Sequence, residues 1–180
     1  MKKHILSVLV ENKPGVLNRV VSLFRRRNFN IDSLTVGRTH RAELSRMTIL
    51  MEGAPEEARR VEKNLFKLVN VVEVEHLSDR PAVTRDLVLI KARVNNETRS
   101  EVMSLCQIFR ARIVDVAPDS VVIETTGEEE KVEGLIELLR PLGIIEMVRT
   151  GVVALGRGKH TLKSDSYRPQ GRRRHRKTVI

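Results

Sequence analysis

Apolar and polar residues along the first 77 positions follow two periods, and these periods predict six elements of secondary structure. An alternating apolar run from His4 to Val10 has the period of a strand and stops at Glu11. A polar turn follows at 12–15, and apolar residues then recur at helical spacing from Val16 to Phe24. Continued along the chain, the pattern predicts strand 4–11, helix 14–27, strands 31–39 and 44–52, helix 55–68 and strand 71–77.

The second half of the chain repeats this order of elements. After a linker at 79–84, the pattern predicts strand 87–94, helix 97–109, strands 112–116 and 120–126, helix 128–139 and a closing strand 144–155. Pro141 and Gly143 are expected to end the last helix. Two β-α-β-β-α-β units predict an α+β fold of two tandem ferredoxin-like sandwiches. We therefore expect domains at 1–78 and 85–157, followed by a basic, disordered tail at 158–180.

Period-2 alternation also sorts the strand residues of the first unit into two faces. Leu6, Val8 and Val10 belong to the apolar face, which both helices can cover. The opposite face is expected to be wetter because it carries polar residues, namely Ser7, Thr35, Arg46, Thr48, Glu73 and Glu75.

The polar turn before the first helix is a candidate binding site for a small amino acid. Gly15 has no Cβ, so another molecule can approach the backbone there. The N-terminus of the helix that follows offers free N–H groups to a carboxylate. A turn of this kind can also be only a turn. The second unit, however, has Asn95-Asn96-Glu97-Thr98 at the matching place, without proline or glycine, which favours a function for the first.

Composition narrows the class of protein. The formal net charge is +10, but nine of the 33 Lys/Arg and one of the 23 acidic residues lie at 157–180. The body keeps 24 basic and 22 acidic residues, a net charge of +2, so a large basic surface for nucleic acid is not expected. No apolar run approaches the ~20 residues of a membrane span. Cys106 is the single cysteine, which excludes internal disulfides and fits a reducing cytoplasm.

Several strings resemble one protein family. The first unit, with its turn at 12–17, resembles the ACT domain, a module that binds amino acids. The strings FNIDSLTVG at 29–37 and LSRMTI at 44–49 are similar to the small, regulatory subunit of acetolactate synthase (acetohydroxyacid synthase). IFRARIVDV at 108–116 and RTGVVAL at 149–155 resemble the C-terminal domain of that family. The resemblance covers about residues 4–158 and leaves the tail outside.

The resemblance implies a function without catalysis by this chain. Such a subunit activates the catalytic (large) subunit of acetolactate synthase in branched-chain amino acid biosynthesis and confers feedback inhibition by valine, or by leucine or isoleucine. Thiamine diphosphate, Mg and FAD are expected on the catalytic subunit, which converts two pyruvate to 2-acetolactate and CO₂, and no cofactor or metal is expected on this chain.

The resemblance also assigns the effector site. The inhibitor lies where two ACT domains of a homodimer pair side by side. One chain contributes Asn12, Gly15, Val16 and Leu17, and its partner contributes Asn30 and Ile31. Backbone N–H groups near Gly15 and Val16 would bind the carboxylate, and the two asparagine amides could accept from the ammonium group.

Two alternatives from other classes remain open at this point. Ferredoxin-like sheets also bind RNA, and the tail could contact phosphates, but the predicted open face carries no aromatic residue on which bases stack. An ACT-type sensor for a different enzyme is separated from the first interpretation only by the family strings. Catalysis is not expected, because the five histidines fall on separate elements without the spacing of a metal site.

Overall fold

The computed structural model describes residues 2–159 and 161–162 and confirms two ferredoxin-like α+β units. The first unit consists of β1 (Lys2–Glu11), α1 (Val16–Arg27), β2 (Ser33–Arg38), β3 (Leu44–Gly53), α2 (Pro55–Leu65) and β4 (Val71–His76). Its four strands form an antiparallel sheet in the order β2-β3-β1-β4. The tail predicted at 158–180 lies largely outside the described residues.

The second unit repeats this arrangement. It consists of β5 (Ala82–Arg93), α3 (Arg99–Ile108), β6 (Arg112–Val116), β7 (Ser120–Gly127), α4 (Glu129–Gly143), β8 (Ile144–Arg149) and β9 (Val153–Gly156). The sheet order is β6-β7-β5-β8, and β9 pairs with the first residues of β5. None of the helices in the described part of the chain is long and apolar enough to cross a membrane.

Each sheet buries one face under two helices, as the apolar pattern predicts. In the first unit Val20, Leu23 and Phe24 of α1 pack with Leu6 and Val8 of the central strand in one core. The helix ends at Asn28, which has φ 55° and donates its N–H to the carbonyls of the last turn. Three arginines at 25–27 suit the negative end of the helix dipole.

Two predicted boundaries in the second unit are wrong. The last helix passes through Pro141 and ends at Gly143, because Leu142 beyond the proline still packs against the second core. The predicted closing strand 144–155 is two strands, since Gly151 has φ +84° and turns the chain between β8 and β9. Both strands pair with the long strand β5: β8 lies beside residues 88–92 and β9 beside residues 82–85. The last three residues of the predicted 79–84 linker therefore lie within a strand.

The second face of the first sheet is more exposed than the core face, as expected, but it is not open, because β9 and the connector before it lie against it. Ser7 and Thr48 are buried there. The connector Thr150–Val152 bonds to β2: the Val152 N–H donates to Ser33 Oγ (3.1 Å), and Thr35 Oγ1 donates to the Val152 carbonyl (3.2 Å). A sheet covered in this way is not the open base-stacking surface that the RNA-binding alternative requires.

Candidate functional site

Gly15 has the backbone conformation that favours glycine. Its φ is +80°, and a Cβ added to it would meet nothing within 4 Å. The glycine is therefore required by the left-handed backbone and not by a neighbouring atom of the same chain. Beyond its Cα lies open space, which is the space that the predicted site needs.

The N-terminus of α1 is open to a negatively charged group. No side chain of the described residues caps it, and its first turn contains no acidic residue. The Val16 N–H reaches the Lys13 carbonyl only at 3.4 Å, and helix geometry leaves the N–H groups of Leu17 and Asn18 without an acceptor inside the helix. These donors and the helix dipole favour a carboxylate at this position.

Asn12 is held by the hairpin between β2 and β3. Its backbone N–H donates to the Glu43 carbonyl (2.8 Å), and its Nδ2 donates to the Ala42 carbonyl (3.0 Å). This leaves Oδ1 of the fixed amide to accept a hydrogen bond, as recognition of an ammonium group would require. Ala42 and Glu43 support the site through their backbone carbonyls, so no side-chain pattern could indicate them.

The two apolar residues predicted beside the turn differ in their surroundings. The Val16 side chain is buried in the core of the first unit, so Val16 can offer a ligand only its backbone. The Leu17 side chain is 44% exposed and is available as an apolar contact.

Asn30 and Ile31 lie in the segment that joins α1 to β2. Nδ2 of Asn30 donates to Asp32 Oδ1 (2.8 Å), which again orients an amide and leaves its Oδ1 to accept. Ile31 is half-buried against the first core. Asp32 is thus a further supporting residue that the pattern did not identify, and its own N–H is fixed on the Leu50 carbonyl (2.9 Å).

A single chain does not bring the two halves of the predicted site together. They lie at opposite ends of α1, a helix of 12 residues and about 18 Å. The sheet register also separates the two halves. Glu11, beside Asn12, pairs with Leu44 at the start of β3, whereas Ser33, near Asn30 and Ile31, pairs with Leu50 towards its end. Among the described strands β2 pairs only with β3, so its outer edge is available for a partner.

In the part of the chain that the structure describes, no cluster of three or more His, Cys, Asp or Glu residues could hold a metal ion. Burial raises the pKa of the Cys106 thiol, which lies on the apolar side of α3 and packs in the second core.

Comparison with family models identifies both units. Residues 6–73 match the model of the "AHAS small subunit-like ACT domain", and residues 85–158 match the model "Small subunit of acetolactate synthase". The two matches cover nearly all of the described chain and follow the two structural units.

Relatives and a solved structure agree with these matches. The chain is 53% identical over 156 residues to a probable acetolactate synthase small subunit from Archaeoglobus fulgidus, which covers 87% of this chain and 98% of the relative. It is 45% identical over 157 residues to the acetolactate synthase small subunit of Mycobacterium bovis, covering 87% and 94% of the two chains. The crystal structure of the acetolactate synthase small subunit from Thermotoga maritima superposes with a TM-score of 0.81 at 41% identity, covering 89% of this chain and 100% of that one.

Proposed function

The chain belongs to the family of acetolactate synthase small subunits, and we propose that it activates the catalytic subunit and makes that subunit sensitive to valine. The observation that carries the valine site is the uncapped N-terminus of α1 behind Gly15, with its free N–H groups and open space. Asn12, Gly15, Val16 and Leu17 form one half of this site, and Asn30 and Ile31 of a second copy form the other.

This division of the site requires a homodimer, and we infer that the two copies pair through their β2 edges. Two β2 strands in antiparallel contact would continue the four-stranded sheet across both copies. The α1 helices would then run in opposite directions, so that the Gly15 end of one helix lies beside the Asn30 end of the other. Two-fold symmetry makes two equal sites, one on each side of the axis.

The available side chains predict weak discrimination among branched-chain amino acids. Leu17 and Ile31 offer only apolar contacts, and one methylene in such a pocket changes the binding free energy by about 1 kcal/mol. Leucine and isoleucine should therefore compete with valine with affinities within about tenfold.

The chemistry belongs to the partner. In the complex, which we place in the cytoplasm, the catalytic subunit holds thiamine diphosphate, Mg and FAD and condenses two pyruvate to 2-acetolactate and CO₂. Valine inhibits only if it binds one arrangement of the subunits more tightly than the other, because a ligand with equal affinity for both shifts no equilibrium.

Reconstitution with the catalytic subunit tests this proposal. Adding the chain should raise acetolactate formation, and valine should then lower it. A Gly15→Asp variant should keep the activation and lose most of the inhibition, since its carboxylate would stand where the carboxylate of valine binds. Gly15→Asn is the matched control, because it adds nearly the same bulk without charge and also tolerates the left-handed backbone. Unchanged activity on adding the wild-type chain would exclude the regulatory function, and full inhibition of Gly15→Asp would remove Gly15 from the site.

A further inference from the structure

A cavity of about 350 Å³ opens on the sheet face of the first unit that lies opposite its helices. One wall is apolar and is formed by Leu9, Leu44 and Leu155, and Thr161 and Leu162 near the end of the described chain also line the cavity. The other wall is polar and carries Arg38, His40, Arg41 and Arg46. Its volume lies within the range of sites for small molecules. The cavity shares the hairpin between β2 and β3 with the Gly15 turn but lies on the other face of the sheet.

Arg46 is the unusual member of this cavity. It stands between Leu9 and Gly37 in the sheet register and is half-buried. Among the described residues its guanidinium has no hydrogen bond and no ion pair. Burial lowers its pKa, and the charge of Glu75 acts in the opposite direction. Glu75 also interacts with Arg80, at a distance of 3.6 Å, so its charge is shared between the two arginines. A partly buried charge without a direct partner is unfavourable, so a bound anion would stabilise the Arg46 guanidinium.

The residues around Arg46 keep the space before it open and positive. A Cβ on Gly37 would meet nothing within 4 Å, so this strand neighbour does not fill the cavity. Arg38 at the rim is exposed and forms no ion pair within the described chain. Arg41 differs, because it pairs with Glu43 at 2.7 Å. Arg46 thus lacks a direct carboxylate partner among the described residues, whereas Arg38, opposite Ser45 in the register, belongs to the other face of the sheet and reaches the cavity only at its rim.

We propose that this cavity binds a small organic oxyanion, a carboxylate or a phosphate ester with a short aliphatic part. The planar guanidinium of Arg46 matches the two oxygens of such a group in a bidentate pair. The aliphatic part would lie against Leu9, Leu44 and Leu155. Residues 157–180 carry nine Lys/Arg and one acid, so this segment has the same sign of charge as Arg46 and supplies little counter-charge. The proposal is independent of the valine site.

Thermal unfolding of the full chain, titrated with butyrate and with propyl phosphate, tests the proposal. Potassium chloride at equal ionic strength controls for general screening of charge, and inorganic phosphate controls for the aliphatic part. At least one organic probe should raise the Tm in a saturable way and at lower concentration than inorganic phosphate. The two organic probes separate a carboxylate from a phosphate ester as the preferred group.

Three variants localise the effect. Arg46→Met should abolish the response, while its own Tm without ligand should equal or exceed that of the wild type, because an apolar side chain replaces an unpaired charge. Arg38→Gln at the exposed rim should weaken binding about fivefold. Arg112→Gln, which removes an arginine that is 80% exposed in the second unit, should change nothing.

Specific results would overturn the proposal. They are no stabilisation beyond that of chloride, organic probes no better than inorganic phosphate, or a response that persists in Arg46→Met. A clear fall in the Tm of unliganded Arg46→Met would also overturn it, since Arg46 would then have a structural partner.

Discussion

A dimer that combines two differently defective subunits should regain valine binding that neither homodimer has. Each proposed site takes its turn from one chain and its Asn30 from the other. When a Gly15→Asp chain pairs with an Asn30→Ala chain, both defects fall in the same site. The second site then contains an intact turn and an intact Asn30, so the mixed dimer binds one valine.

General interaction energies give the approximate size of each defect. A carboxylate on residue 15 would lie in the open space before α1, and at about 4 Å from the carboxylate of valine it costs about 1 kcal/mol in water and about 4 kcal/mol where water is partly excluded. The affinity of Gly15→Asp should therefore fall by at least about fivefold. Asn30→Ala removes the acceptor that Asp32 orients, and a hydrogen bond to a charged group contributes about 1.5–3 kcal/mol.

Isothermal titration calorimetry of the mixture measures the result. Equal amounts of the two variants, unfolded together and refolded, should give about half mixed dimers and hence about a quarter of the wild-type number of tight sites. A mixture of Gly15→Asp with Asn12→Ala is the matched control, because both changes lie in the same half and leave no intact site. If valine binding stays absent in the first mixture, or returns equally in both, the site is not shared between chains.

Three further predictions concern the fold. Gly151→Ala should lower the free energy of unfolding by about 2–3 kcal/mol, because residue 151 has φ +84° and its Cβ would overlap Ser33 Oγ. Gly158→Ala is the control: residue 158 has φ +71° but lies in open space, so the free energy of unfolding, measured by chemical denaturation, should fall by only about 1 kcal/mol. Cys106 should resist alkylation at pH 8 until the protein unfolds, since burial raises the pKa of its thiol and keeps it protonated; rapid native-state labelling would contradict this. Asp86→Asn should lower the Tm and the free energy of unfolding by about 2–3 kcal/mol, because Asp86 is buried and accepts from Arg149, and an unchanged Tm would contradict it.

Periodicity was sufficient to predict the elements because each sheet has one face that must be buried. Leu6 and Val8 alternate with Ser7, and Val20 and Phe24 of α1 recur at helical spacing, so each element had one face that could meet the core. The failures came where long-range packing overrode local rules. Pro141 did not end α4, because Leu142 beyond it still contacts the core of the second unit.

The candidate site also combines local features that the sequence could predict with long-range contacts that it could not. Glycine, a polar turn and a helix start are local features, so the sequence could indicate Gly15 and Asn12. The hairpin carbonyls that fix Asn12, and Asp32 that orients Asn30, belong to contacts made after folding.

The sequence by itself determined the two repeated units, their apolar cores and the turn that favours a carboxylate, because these follow from the order of residues along a strand or helix. Only the tertiary structure decided that the hairpin fixes Asn12, that β9 covers part of the second face of the first sheet, and that Arg46 is half-buried without a direct partner among the described residues. These features depend on contacts between segments that are distant in sequence, and local patterns of residues do not specify such contacts.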